Sequence, residues 1–130
     1  MLLPIFRVTL DHGAVVLLRR VAEIHAHGGR GQQHVQFDAL RLAREMGYSH
    51  IQAATNGIMF TDLEFTMKAK EAGLHTLYLQ FDGVQGAGQR ELRGGDFRQL
   101  RQRAIERCGT LNIPITLAMT VTPDNLPNLW

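Results

Sequence analysis

The stretch FDALRLAREMGYSHIQAATNGIMF (residues 37–60), continued by TDLEFTMKAKEAGLHTLYLQFDG (61–83), decides the fold. It holds two helix-then-strand units, and each strand ends in a polar tip: Thr55–Asn56–Gly57 in the first and Asp82–Gly83 in the second. Repeated helix–strand alternation predicts parallel strands with right-handed crossovers. The carboxyl ends of such strands meet at one edge, where open α/β sheets bind ligands. We therefore predict an α/β fold with its ligand site at these tips.

The first unit has a helix followed by a buried strand. From Phe37 onward, the apolar residues Ala39, Leu42, Ala43 and Met46 recur at the spacing of a helix face. Gly47 follows where a helix end favours a positive φ. The sequence then predicts a strand over residues 50–55.

The second unit repeats this order, and its KEAGL is similar to the REMGY of the first. Thr61 and Glu64 have the spacing of a capping box, which predicts the start of the helix. Gly73 predicts the end of the helix, and residues 74–81 predict the next strand.

A third unit follows a glycine-rich loop at 84–95. We expect its helix over residues 96–108, a left-handed stop near Asn112 and a strand over 115–121. Three or four such units form an open parallel sheet or part of a barrel. The chain stops soon after a strand, so we interpret residues 1–130 as a single, incomplete domain.

The N-terminal region is less regular. Residues 5–10 have strand character, and residues from 11 or 13 to about 26 favour a helix through the run AVVLLRRVAEIHA. A flexible loop is expected at 28–33.

Composition restricts the class of protein. Hydrophobic residues make up 45% and charged residues 20% of the chain, with a formal charge of +2, which is too small an excess to indicate nucleic-acid binding. No run reaches the roughly 18 apolar residues of a membrane span. The single cysteine excludes an internal disulfide, and a cytoplasmic location is expected.

Several candidate sites have a simpler structural interpretation. The polar tips at residues 55–57 and 82–83 carry groups suited to binding a ligand. The alternative is a purely structural role, because Asn-Gly and Asp-Gly are also the commonest turn dipeptides. His25 and His27 form an H-x-H pair, with His34 nearby, as in barrel-type metal hydrolases; loop histidines exposed to solvent are the alternative. No residue has an obvious bridging position, so we predict no metal ligand there.

Two further patterns are weak signals of function. The run Gly28–Gly29–Arg30–Gly31 lacks the ending of a nucleotide-binding loop and the spacing of a dinucleotide fingerprint. Cys108 lacks a positive neighbourhood and is expected to pack as a small apolar residue. The arginines of the third unit are interrupted by acids and are expected on a solvated helix surface; they are residues 90, 93, 98, 101, 103 and 107.

The runs LAREMGYSHIQAATNGI, KAKEAGLHTLYLQFDGV and, less closely, RELRGGDFRQLRQRAIERC resemble the radical S-adenosylmethionine (radical SAM) enzymes. The nearest branch resembles the molybdenum-cofactor-type cyclases and the archaeal proteins that modify pterins or lipids. The resemblance covers residues 28–122 and implies that the chain is part of a partial (βα)6 TIM-like barrel. It implies a four-iron–four-sulfur (4Fe-4S) cluster that is held by a C-x₃-C-x₂-C loop. In the family this cluster cleaves S-adenosylmethionine to give a radical.

The resemblance also implies cofactor-binding residues. Gly28 and Gly29 keep the glycines of the family's Gly-Gly-Glu-Pro motif, but Arg30 replaces its acid. The tip of the family's third strand matches at Thr55 and Asn56. The tips of its later strands match at Gln80, Asp82 and Thr120. The cluster motif is absent, because one cysteine cannot replace three.

These observations lead to a prediction and two alternatives. The chain is expected to be a truncated or degenerate radical SAM-like domain, inactive alone, whose small-molecule ligand would be S-adenosylmethionine. The alternatives are a non-catalytic module that binds an adenosyl group or a protein partner, and, more remotely, a barrel-type metal hydrolase. Exposed sheet edges are expected to support a homodimer or association with a missing domain.

Overall fold

A computed structural model describes residues 6–10, 15–16, 31–81, 96–123 and 126–128. The described strands form one five-stranded sheet in the order β2-β1-β3-β4-β5. Strands β3, β4 and β5 are parallel, whereas β1 pairs antiparallel with both β2 and β3. The strands are β1 (Phe6–Leu10), β2 (Val15–Val16), β3 (Ile51–Thr55), β4 (Thr76–Gln80) and β5 (Ile115–Ala118).

Three helices are described, and they pack on one face of the sheet. They are α1 (Gly31–Glu45), α2 (Leu63–Ala72) and α3 (Arg98–Thr110). Alternate residues of β3 and β4 form one buried cluster with residues of these helices, including Leu40, Phe65, Ala104 and Cys108. Burial of a side chain of leucine or phenylalanine size contributes about 1.5–3 kcal/mol, so this cluster is the main source of the fold's stability.

An aromatic group joins the helices to the turn after β3. The ring of Phe65 on α2 lies 5.0 Å from that of Phe37 on α1 and 5.3 Å from that of Phe60, the latter edge-on. Such pairs add about 0.5–1.5 kcal/mol beyond the area that they bury. They hold α1, α2 and the turn in one arrangement.

The parallel arrangement is confirmed for three strands, and the strand predicted over residues 5–10 agrees with β1. The helix predicted after it is wrong where it can be compared. Val15 and Val16 lie in a strand beside β1, not in a helix. Valine is stiff at χ1 and suits a strand, and long-range pairing decides the outcome. The remaining residues of the predicted N-terminal helix lie outside the described ranges. The partial barrel is not confirmed and stays a prediction.

Helix α1 differs from its prediction in start and in orientation. It begins at Gly31, within the expected loop, instead of at Phe37. Its buried positions are Gln36, Phe37, Leu40 and Ala43, while Leu42 and Met46 are 57% and 64% exposed. Phe37 and Leu40 provide more apolar surface than the alanines of the predicted stripe, so they face the core.

The predicted helix ends are confirmed, but the predicted cap of the second helix is also wrong. Gly47 and Gly73 have φ values of 87° and 121°, and Asn112 has a φ of 53°. Helix α2 is capped by Asp62, whose carboxylate accepts hydrogen bonds from the Glu64 and Phe65 N–H groups at 2.7 and 3.1 Å. Thr61 is not the cap, because it belongs to a 3-10 turn, Met59–Thr61, that precedes the helix.

The starts of β3 and β4 are joined by two hydrogen bonds. The His75 N–H donates to the Ile51 carbonyl at 2.9 Å, and the Ile51 N–H donates to Nδ1 of the His75 ring at 3.1 Å. The Nδ1 atom of the imidazole therefore acts as a hydrogen-bond acceptor for β3 one residue before β4 begins. No helix within the described ranges combines the length and the apolar character needed to cross a membrane.

Candidate functional site at the strand ends

The tip after β3 lies at the carboxyl edge of the parallel strands, as predicted, but it is closed on itself. Thr55 and Asn56 are 5% and 1% exposed. Thr55 Oγ1 accepts a hydrogen bond from the Gly57 N–H at 3.1 Å, and Asn56 Oδ1 accepts one from the Ile58 N–H at 3.2 Å. Both side chains thus shape the turn, which is the local role that threonine and asparagine often have in turns.

Gly57 supports the same interpretation. Its φ is +89°, and a Cβ atom at this position would lie 2.8 Å from Leu79 Cδ1 and 3.5 Å from Ala104 Cβ. Side chains of β4 and α3 fill the space that its missing Cβ leaves, so the glycine does not open the backbone to a ligand here.

Gln80 ends β4 at the same edge of the sheet. The register pairs Thr55 with Leu79, so Gln80 lies one position further along the neighbouring strand. Its side chain is half-buried. The structure therefore brings Gln80 close to the tip after β3, whereas Asp82 and Gly83 lie outside the described residues.

The other predicted cofactor residues have different outcomes. Thr120 lies two residues beyond the end of β5 and is exposed. Gly28, Gly29 and Arg30 are outside the described ranges, so their predicted role is not compared with the structure. Of the predicted set, the structure brings together Thr55, Asn56 and Gln80.

The face of the sheet opposite the helices is a surface that we did not single out from the sequence. Tyr78 is 40% exposed in the middle of this face. The register places it beside Ala54 on one side and Thr116 on the other, and Gln80 is two residues further along its own strand. Side chains two apart on a strand share a face, so the alternation in TLYLQ was the signal for this surface.

The residues present do not fit an iron–sulfur cluster. Cys108, the single cysteine of the chain, is fully buried on α3. Burial raises the pKa of its thiol from 9.0 to about 11, which disfavours the thiolate that a metal requires. Within the described residues there is no group of three or more histidine, cysteine, aspartate or glutamate side chains suited to a metal ion.

The histidine and arginine predictions also have mixed outcomes. His25 and His27 lie outside the described residues, and His34 belongs to α1 instead of a loop. Arg98 is exposed and paired with Asp96 at 2.6 Å, as expected of a solvated surface. Arg101 is different: it is fully buried, with its guanidinium 5.6 Å from the centre of the Phe97 ring, so the solvated-surface prediction is wrong at this position.

Comparison with known proteins gives one informative similarity. No protein-family model matches the chain. Over 71 residues, which are 55% of the chain, it is 44% identical to a 7,8-dihydro-6-hydroxymethylpterin dimethyltransferase of Methanocaldococcus jannaschii. The matched stretch is 14% of that protein's length. The similarity supports a relationship to the radical SAM proteins and to their pterin-modifying branch.

Proposed function

We propose that this chain is a portion of a radical SAM-type α/β domain that binds an adenosyl group at the carboxyl ends of β3 and β4. The observation that carries the proposal is the meeting of the β3 tip with Gln80 at one edge of the parallel strands. The similarity to a pterin dimethyltransferase supports it. No pterin site is proposed, because the matched stretch is a small part of that protein.

Gln80 and Tyr78 are the residues best suited to contact the ligand. A glutamine amide both donates and accepts hydrogen bonds, which suits the hydroxyl groups of a ribose. Tyr78 offers an exposed aromatic ring on the same face, on which a purine can stack. Thr55 and Asn56 act indirectly, because their oxygens hold the adjoining turn in shape.

Radical chemistry is not proposed for this chain alone. The three thiolates that hold a cluster of this type are missing from its sequence, and the one thiol is in the core. Anaerobic reconstitution with iron and sulfide tests this directly. We expect no stoichiometric cluster, and a thiolate-to-iron absorbance band in the purified protein would contradict the proposal.

Ligand binding is tested by calorimetry with S-adenosylmethionine, S-adenosylhomocysteine and 5′-methylthioadenosine. In the family's motif an acid binds the methionyl ammonium, and Arg30 stands at that position here. We therefore expect methylthioadenosine, which lacks the ammonium, to bind at least as tightly as the other two. Absence of heat with all three ligands would refute adenosyl binding.

Matched variants locate the site. Gln80→Ala removes one or two hydrogen bonds of about 1 kcal/mol each, so we expect a loss of affinity of about five- to thirtyfold. Gln52→Ala is the control, because Gln52 is also half-buried and shares the face with Tyr78 but lies at the amino end of β3. Equal effects of the two substitutions would place the ligand elsewhere.

A role in binding a protein partner is the second candidate. The observation that favours it is the exposed apolar surface along the edge strand β5 and the residues after it. Leu117 and Val121 there are 49% and 57% exposed.

A further inference from the structure

Strand β5 ends the described sheet with one side of its backbone directed outward. On its inner side, the Leu77 N–H donates to the Pro114 carbonyl at 2.9 Å and the Phe81 N–H donates to the Ala118 carbonyl at 2.7 Å. Backbone groups of alternate residues point to opposite sides of a strand. The N–H and C=O groups of Ile115 and Leu117 therefore point toward the outer edge, where no described strand pairs with them.

This edge lacks the features that usually prevent pairing. Natural edge strands are protected by charged residues, proline or bulges. The run ITLAMTVT, residues 115–122, contains no charge and no proline. Its apolar side chains after Ile115 are exposed: Leu117 at 49%, Met119 at 36% and Val121 at 57%.

The run alternates strictly between two kinds of side chain. Ile115, Leu117, Met119 and Val121 are large and apolar, and the intervening residues are threonine or alanine. The register places Leu117 beside Leu79, on the face that carries the helices. Strand β5 ends at Ala118, but the alternation of side chains continues to residue 122. The sequence therefore favours a longer strand than the one that pairs with β4.

We propose that β5 pairs with β5 of a second copy of the chain, antiparallel and related by a two-fold axis at Ala118. This register brings Leu117 opposite the partner's Met119 and Ile115 opposite the partner's Val121. Thr116 then lies opposite the partner's Thr120. Aliphatic and threonine cross-strand pairs stabilise antiparallel strand pairing. The outward backbone groups become hydrogen-bonded across the interface, and the strand extends to residue 121.

A second copy fits this edge because the run is complementary to itself. A two-fold axis at Leu117 would pair Ile115 with the partner's Met119 and leave Val121 outside the ladder. Like charges do not meet across the run, and the net charge of +2 produces little long-range repulsion between copies. A single strand pair is smaller than the roughly 1,200–2,000 Å² of a stable interface, so the dimer is expected to be weak.

The first test is light scattering with size-exclusion chromatography of the full chain, from about 10 to 500 μM. This range covers the micromolar affinities expected of a small interface. We expect the mass to rise toward twice the 14.6 kDa of one chain. Leu117→Lys places a charge opposite the partner's Met119 and diagonally beside the partner's own new lysine, and should abolish the rise. Leu42→Lys, at an equally exposed apolar position on α1, should leave it unchanged. A monomer throughout the range, or equal effects of both substitutions, would overturn the proposal.

Disulfide trapping tests the register. Residues of a non-hydrogen-bonded antiparallel pair have Cα atoms about 4.5 Å apart, within the range that a disulfide spans. Ala118→Cys should therefore give a covalent dimer on mild oxidation. In Thr116→Cys the two new thiols would be about 14 Å apart along the strands, so we expect little dimer. The wild-type chain is a further control, because its Cys108 is buried. More dimer from Thr116→Cys than from Ala118→Cys would overturn the register.

Discussion

Replacing Gly57 by alanine should destabilise the fold through two separate effects. The φ of +89° imposes a backbone strain of about 1–2 kcal/mol on an alanine. The new Cβ would also lie 2.8 Å from Leu79 Cδ1. Leu79 is fully buried, so relief of this overlap disturbs the core and adds about 1–3 kcal/mol. The lower entropy of the unfolded chain offsets about 0.4–1 kcal/mol. The net loss is about 1–5 kcal/mol, with a central value of about 3 kcal/mol.

Gly47 provides a matched control for the backbone effect. Its φ is +87°, almost the same, but no atom lies within 4 Å of the position that a Cβ would take. Gly47→Ala should therefore cost about 0.5–1.5 kcal/mol, from strain less the entropic gain. Urea denaturation monitored by circular dichroism measures both free energies of unfolding.

A double-mutant cycle separates the contact from other effects. In a Leu79→Ala background the atom that opposes the new Cβ is removed, so Gly57→Ala should cost about as much as Gly47→Ala. Equal costs of the two glycine substitutions in the wild-type background, within about 0.5 kcal/mol, would refute the reasoning. The turn would then adapt to a side chain without disturbing β4.

Three further predictions concern single side chains. Asp62→Ala should lower the free energy of unfolding by about 1 kcal/mol, because it removes the acceptor for two N–H groups of α2, whereas Asp62→Asn should retain most of it. Thermal denaturation should show the difference, and equal losses would contradict the capping role. Gly109→Ala should raise the free energy of unfolding by about 0.5–1 kcal/mol, since Gly109 lies within α3 and nothing lies within 4 Å of the new Cβ; a loss would show an unseen contact. Burial raises the pKa of Cys108 from 9.0 to about 11. The stability that the buried neutral thiol contributes is therefore fully present below pH 9 and is lost as the pH rises to about 11. Denaturation at pH 8 and pH 10.5 should therefore show a larger fall for the wild type than for Cys108→Ala, by at most about 2–3 kcal/mol, and equal falls would contradict this.

The helix–strand units could be predicted because their signals are local. The glycines at 47 and 73 fix helix ends through backbone geometry, and the run that follows each of them is short, apolar at alternate positions and buried there, which is typical of a strand. By contrast, Val15 and Val16 join a strand because β1 lies beside them, which no local pattern specifies. Likewise, Thr61 and Asp62 are both good cap residues, and the preceding 3-10 turn decides between them.

The strand edge that carries the candidate site could be predicted, but the contacts of its side chains could not. The parallel order alone places Thr55, Asn56 and Gln80 at one edge. Whether the polar atoms of the first two face a ligand or the local backbone depends on the turn geometry, and here an oxygen of each accepts a hydrogen bond from the turn. Tyr78 was overlooked because exposure depends on which face the helices cover.

The two hydrogen bonds between His75 and Ile51 favour one register of β4 against β3 over the alternatives. A shift of β4 by one residue would break both bonds and would also turn Leu77 and Leu79 out of the core while turning Tyr78 into it. The penalty for misalignment therefore combines two hydrogen bonds at the amino ends of the strands with core packing along β4. Gln80 takes part in neither, so a substitution there can alter the carboxyl edge without changing how the strands align.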